Sequence, residues 1–160
     1  MWSRMEKLEV IVGQMLAERK LKLATAESCT GGLVGHRLSN VPGSSAYYEG
    51  GIVAYSYEAK ERLLGVHHDT LYEHGAVSAE TALEMARGAR KAFGTDIGIA
   101  VTGIAGPGGG LPGKPVGLVY IALSARTYER VERFVWNSDR ESNKMQSAEE
   151  ALVMLKEFLE

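Results

Sequence analysis

The sequence is poor in the residues that would tie it to a disulfide, a metal or a nucleic acid. Its single cysteine, Cys29, cannot form an internal disulfide, and such sparse use suits a reducing compartment. One cysteine and four scattered histidines also argue against a zinc site. A formal net charge of -2 supplies no basic footprint for nucleic acid. The first twenty residues carry charges throughout and lack a long apolar core, so they read as neither a secretory leader nor a membrane span. Internal repeats, low-complexity tracts and linkers are lacking too. No domain boundary is placed, and residues 1–160 are read as a single domain.

What is present is an ordinary globular composition. Hydrophobic residues make up 45% and charged residues 24% of 160 positions, enough to bury a sizeable core. The expectation is a cytoplasmic enzyme or binding domain with no nucleic-acid or membrane partner. Self-association into a homo-oligomer is expected.

Periodicity predicts a first helix over residues 6–19, with Leu8, Ile11, Val12, Met15 and Leu16 inward. A strand over 20–25 follows, then a helix carrying Leu33, Val34 and Leu38 on one face. Pro42 and Gly43 break the chain before a second strand near 51–55. Helices are predicted over 58–64, ending at Gly65, over 70–73, and over 79–93 between Ser78 and Gly94. The apolar run 97–102 suits a strand buried on both faces. Strands over 116–124 and 131–136 read as an antiparallel hairpin. The last helix opens at Ser138-Asp139-Arg140-Glu141, a capping-box pattern, with Met145, Ala148, Leu152, Leu155 and Leu159 as its buried stripe. The fold class is α/β, a three-layer α/β/α arrangement with a five-stranded mixed sheet.

Two segments suggest chemistry. The first is Thr25-Ala-Glu-Ser-Cys-Thr-Gly-Gly32, between the first strand and its helix. Ser28 and Cys29 fall at or just before a helix N-terminus, where unpaired N–H groups and the helix dipole favour an anion or a developing oxyanion. Glu27 or Thr30 is available near the helix start, and Gly31 and Gly32 allow close approach to the backbone. Ser, Thr and Gly in this position also serve simply as caps. The second segment is 103–117, with seven glycines and three of the four prolines. Gly108, Gly113 and Lys114 meet most of a nucleotide-binding P-loop pattern. Pro115 stands where Ser or Thr should ligate magnesium, however, and a strand rather than a helix follows. The loop can still offer N–H groups to a phosphate or carboxylate, or serve as a tight structural crossover.

A serine nucleophile needs a base. His36 lies about two turns along the helix after Ser28, and His67, His68 and His74 surround a surface turn, so no Ser-His-Asp arrangement is defensible. A lysine of depressed pKa is the other route, and Lys60 is a candidate. Cys29 is a rival nucleophile without an evident partner base.

These blocks occur in order with Val41-Pro-Gly-Ser-Ser45, Tyr55-Ser-Tyr-Glu-Ala-Lys60, His74-Gly-Ala-Val-Ser78, Thr102-Gly-Ile-Ala-Gly-Pro107 and Lys114-Pro-Val-Gly117. Together, over nearly the whole chain, they resemble the C-terminal domain of the competence/damage-inducible protein CinA and its stand-alone relatives, which include nicotinamide-nucleotide amidohydrolases. The resemblance implies hydrolysis of nicotinamide mononucleotide to nicotinate mononucleotide and ammonia by a serine/lysine mechanism, without metal or other cofactor. It assigns the nucleophile to Ser28 and the lysine to Lys60, with Tyr55 as the motif tyrosine and a possible proton relay. It also points to Arg140 at the start of the last helix. Thr30, Gly31 and Gly32 are then expected to line the substrate. Arg140 and the turn containing Thr102, Gly103 and Gly106 are expected to hold its phosphate.

The chain departs from the family pattern at Tyr57, at Leu111-Pro112-Gly113, at Ser138 and at Lys144, where a second arginine is frequent. Family members named CinA also carry an N-terminal pyrophosphatase-type domain without counterpart in this sequence, so activity is expected from the deamidase domain alone. The competing expectations are a non-catalytic nucleotide-binding or scaffold domain and an amidase using Cys29.

Overall fold

The computed structural model describes residues 6–160; residues 1–5, part of the stretch read as neither leader nor span, lie outside the described residues. The elements run α1 (Leu8–Arg19), β1 (Leu23–Glu27), α2 (Leu33–Ser39), a short 3-10 turn (Ser44–Ala46), β2 (Tyr48–Val53), α3 (Tyr57–Leu64), α4 (His68–His74), α5 (Ala79–Phe93), β3 (Ile97–Gly103), β4 (Leu118–Ala125), β5 (Glu129–Val135) and α6 (Arg140–Leu159). The five strands form one sheet in the order β2-β1-β3-β4-β5. The first three are parallel and the last three antiparallel, so the sheet is mixed and the fold is three-layered as expected. No helix among the described residues is long and apolar enough to cross a membrane.

Alternation along the strands sorts side chains by size as well as by face. Leu23, Ile97, Ile99, Val101, Val119, Ile121 and Leu123 pack with α1, α2 and α6. Ala24, Ala26, Ala100 and Ala122 pack with α3, α4 and α5. The small face lets α5 lie close on the sheet. A Cβ at Gly98 would stand 2.1 Å from the Ala86 carbonyl oxygen. The next layer is equally close, since a Cβ at Gly88 would stand 1.9 Å from the Leu64 carbonyl oxygen at the end of α3. Two glycines thus bring α5 down on β3 and α3 down on α5.

Several boundaries differ from expectation. β1 starts at Leu23 because Lys20 is in the left-handed region that ends α1, and it runs on to Glu27. β2 ends at Val53, leaving Tyr55 in the link to α3. In α1, Leu8, Ile11 and Met15 are only partly buried, while Glu9 is buried in an ion pair with Arg37. Met145 is 58% exposed; Asn143 and Ser147 are buried there instead, together with Ala148, Leu152, Leu155 and Leu159. The cap of α6 is Asp139, whose carboxylate accepts from the Ser142 N–H.

Both glycine contacts oppose backbone to backbone, so a side-chain rotation cannot relieve them. Gly98→Ala is expected to destabilise the fold by about 1–3 kcal/mol. Calorimetry should then show a fall in Tm of about 2–4 °C for each kcal/mol. An unchanged Tm would contradict the close seating of α5.

Candidate active site

The parallel half of the sheet ends in the residues that build the site. The Ser28 N–H donates to the Val101 carbonyl at 2.9 Å, extending the β1–β3 ladder by one residue. On the other side, the Ala54 N–H donates to the Glu27 carbonyl at 2.9 Å and extends β1–β2. Ser28 is therefore fixed at a strand end, and the chain turns sharply through Cys29, Thr30, Gly31 and Gly32. Gly31 and Gly32 have φ of 62° and 105°, the left-handed region that favours glycine.

The helix that follows does not offer its N-terminus to a ligand, contrary to expectation. α2 begins only at Leu33. Its Val34 and Gly35 N–H groups donate to the Glu27 carboxylate at 2.9 and 3.0 Å. The Thr30 hydroxyl donates to the same carboxylate at 2.7 Å. Among the described residues, no backbone carbonyl accepts from the N–H groups of Cys29 and Thr30. The donors left beside Ser28 therefore belong to the turn rather than to the helix.

Lys60 lies on the inner face of α3, 1% exposed. α3 starts there because the Ser56 hydroxyl caps it, accepting from the Ala59 N–H at 3.0 Å. The Lys60 amine lies 3.0 Å from Ser28 Oγ and donates to the Ala54 carbonyl at 2.8 Å. It has no carboxylate partner among the described residues. Burial pushes the amine down from the ordinary lysine value to about 8. Two acceptors face three ammonium protons, whereas a neutral amine would turn its lone pair to the serine hydroxyl.

Cys29 has the opposite setting. Burial pushes its thiol up to about 12, and the nearby Glu27 charge adds to the rise. A thiol held protonated is a poor nucleophile.

Ser28, Cys29 and Lys60 line a cavity of about 260 Å3 with Tyr55, Thr102 and Arg140. Gly103 and Gly106 also line it. Tyr55 is 60% exposed at the rim, and its phenol oxygen accepts from Arg140 at 3.0 Å. The Arg140 guanidinium also donates to the Gly106 carbonyl at 2.7 Å, so it spans the two lips of the cavity. Thr102 is buried, and its hydroxyl donates to the Ala76 carbonyl at 2.8 Å, tying the strand end to the loop before α5.

Thr30, Gly31 and Gly32 do not line the Ser28 cavity. They border an adjoining one of about 730 Å3 with His36, Lys144 and Met145, and Arg140 lines both. Histidines 67, 68 and 74 pair with Glu84, Glu61 and Glu80 outside the site.

The glycine-rich segment folds as a strap. Leu111 and Lys114 exchange backbone hydrogen bonds at its tip, and the Lys114 amine donates to the His74 carbonyl. Only Gly108 and Gly109 of its later glycines reach the Ser28 cavity. Sequence reasoning missed Asn143, which is fully buried. Its amide donates to the Ala105 and Ser138 carbonyls and its oxygen accepts from the Ser138 N–H, locking the strap's start to α6. An asparagine inside a helix, against propensity, was the available signal.

Comparison with known proteins fits this architecture. The CinA C-terminal domain family model matches residues 5–159. A putative competence-damage inducible protein from Moorella thermoacetica is 55% identical over 150 residues, covering 94% of this chain and 36% of that protein. A CinA-like protein from Chlorobaculum tepidum is 52% identical, covering 94% of this chain and 38% of that one. The chain thus spans little more than a third of the length of these relatives. A CinA superfamily protein from Klebsiella pneumoniae superposes with a TM-score of 0.92 at 38% identity, covering 95% of both chains. One from Escherichia coli gives 0.89 at 32% identity, covering 97% of this chain and 92% of that one. With a family match along almost its full length and solved relatives of the same fold, this chain belongs to the CinA C-terminal domain family.

Proposed function

We propose that the chain is an amidohydrolase that converts nicotinamide mononucleotide to nicotinate mononucleotide and ammonia, with Ser28 as nucleophile and Lys60 as base. The observation that carries this reading is the 3.0 Å contact between a buried lysine amine and a serine hydroxyl at the floor of a cavity. Neutral Lys60 takes the Ser28 proton as Oγ attacks the carboxamide carbon. The turn N–H groups of Cys29 and Thr30 receive the oxyanion, an effect of about 3–4 kcal/mol for a strong donor. Lys60 then gives its proton to the departing nitrogen, and ammonia leaves the acyl-enzyme. Water repeats the attack with Lys60 again as base, and Lys60 returns that proton to Ser28 Oγ as the ester bond breaks and nicotinate mononucleotide leaves. Tyr55 shapes the rim in this scheme, because the amine already touches the hydroxyl.

The substrate phosphate needs cationic partners outside the Ser28 cavity. Among the described residues Arg140 donates only to neutral oxygens, so no carboxylate there compensates its charge, and Lys144 lines the adjoining cavity. We assign the phosphate to this pair, with Lys144 the more adaptable because its amine is not held by a rim contact.

Ser28→Ala should lower turnover by about a thousandfold or more, while Cys29→Ala keeps most of it. Steady-state ammonia release measures both, and a lethal Cys29 change with an active Ser28→Ala would invert the assignment. The base must be deprotonated to act, so kcat/KM should rise with pH and level off above a midpoint near 8. Lys60→Arg should not restore activity, since a guanidinium stays charged. A flat profile between pH 6 and 9 (about two units below and one above the midpoint) would exclude Lys60 as base. Arg140→Ala should cut kcat/KM for nicotinamide mononucleotide by about ten- to hundredfold, the worth of a charged hydrogen bond. Nicotinamide riboside, which lacks the phosphate, should lose far less. Equal fractional losses on both would show that Arg140 holds the fold and does not read the phosphate.

A further inference from the structure

Glu27 is a carboxylate only 2% exposed, directly before the proposed nucleophile. One oxygen accepts from the Thr30 hydroxyl and the Val34 N–H, the other from the Gly35 N–H. These three donors span the whole turn that leaves Ser28. Its own carbonyl accepts from the Ala54 N–H, and the Ala54 carbonyl accepts from the Lys60 amine. Glu27 is therefore linked to both sides of the Ser28–Lys60 pair, its side chain to Thr30 in the turn after Ser28 and its backbone to Lys60 through Ala54. A Cβ at Gly35 would stand 2.5 Å from the Tyr48 hydroxyl, so glycine lets the end of that ring lie against the start of α2.

We infer that Glu27 is a positioning residue. Its carboxylate occupies the start of α2 and thereby leaves the turn N–H groups of Cys29 and Thr30 to meet the oxyanion above Ser28. An internal anion at this helix start excludes a substrate anion from it, which is why the phosphate partners lie on α6. Without two acceptor oxygens at residue 27, the donors of Thr30, Val34 and Gly35 would compete for new partners. The turn would then lose the geometry that aims Ser28 Oγ and the two N–H groups at one carbonyl. An active constellation displaced by about 1 Å loses rate steeply, on the order of a hundredfold.

This inference rests on Ser28 being an activated nucleophile, so its test uses two readouts. One is steady-state ammonia release from nicotinamide mononucleotide. The other is the rate at which a fluorophosphonate labels Ser28, read by mass spectrometry, which needs no knowledge of the substrate. Glu27→Gln keeps the side-chain length but replaces one acceptor oxygen with a donor. Folded Glu27→Gln should lose about ten- to hundredfold in both kcat and labelling rate. Its KM should change by less than about threefold and the midpoint of the pH profile should stay in place, as expected when only transition-state geometry is lost. Parental kcat and labelling in the folded variant would overturn the role, as would a change confined to KM. If Glu27→Gln does not fold, Thr30→Val decides. It removes one of the three donors and should cost about three- to tenfold in both rates, about the worth of one hydrogen bond; parental rates there overturn the inference. If the parent labels at Ser28 but releases no ammonia, the substrate reading fails and the labelling ratio alone judges Glu27. A parent that neither labels nor turns over overturns both.

Discussion

A lysine amine held out of water between a serine hydroxyl and one backbone carbonyl is the arrangement on which the site depends. Desolvation disfavours its charge, and the described residues supply no carboxylate to restore it. The same burial that makes Lys60 costly for the fold favours its neutral form. Cys29, one residue beyond Ser28, shows the sign of the effect on an acid: burial keeps its thiol protonated. Burial thus pushes the amine toward its neutral form and the thiol toward its protonated one.

The rest of the fold brings that amine to the strand end. α3 can deliver Lys60 only if it packs low against α5, and α5 must itself sit low on the sheet. Gly88 and Gly98 permit those two approaches, and the alanines on this face of β1, β3 and β4 keep it shallow. The opposite face carries the large branched side chains and supplies most of the apolar burial. The division separates two tasks. The bulky core between the sheet and α1, α2 and α6 holds the molecule together, while the shallow core sets the height of Lys60. Glu27 lies where the two tasks meet, ending the central strand of the parallel half and capping the helix on the bulky side.

The sequence made the order and type of the elements legible because strong local signals agree with the tertiary structure. α5 runs from its Ser78 cap to its Gly94 stop as the pattern predicts, and the apolar run 97–102 is a strand buried on both faces. Helix α6 was legible in extent and at Ala148, Leu152, Leu155 and Leu159 of its buried stripe, but not at Met145. Met145 counts as apolar in any periodicity reading, yet it lies at a cavity mouth while Asn143 takes the buried position through three hydrogen bonds. At the site, Ser28 and Lys60 were legible as a chemical pair only through the family resemblance. A lysine 32 positions from a serine carries no local mark of burial. The expected anion site at the helix start failed for a specific reason. A side chain from the preceding strand had already taken the helix donors, and spacing alone does not show which of several nearby carboxylates or hydroxyls will do so.

The central claim is that Lys60 is a desolvated amine in contact with Ser28, and its own titration tests that claim most directly. With 13C-labelled lysine, the Cε resonance assigned by its loss in Lys60→Met can be followed by NMR from pH 6 to 11, about the span that brackets both the shifted and the ordinary lysine range. A midpoint near 8 is expected, well below the ordinary lysine value. The midpoint should also move when Ser28 is changed to alanine, because the hydroxyl is one of two acceptors the amine has among the described residues. A Lys60 resonance that titrates together with the surface lysines, and ignores the loss of the Ser28 hydroxyl, would contradict it.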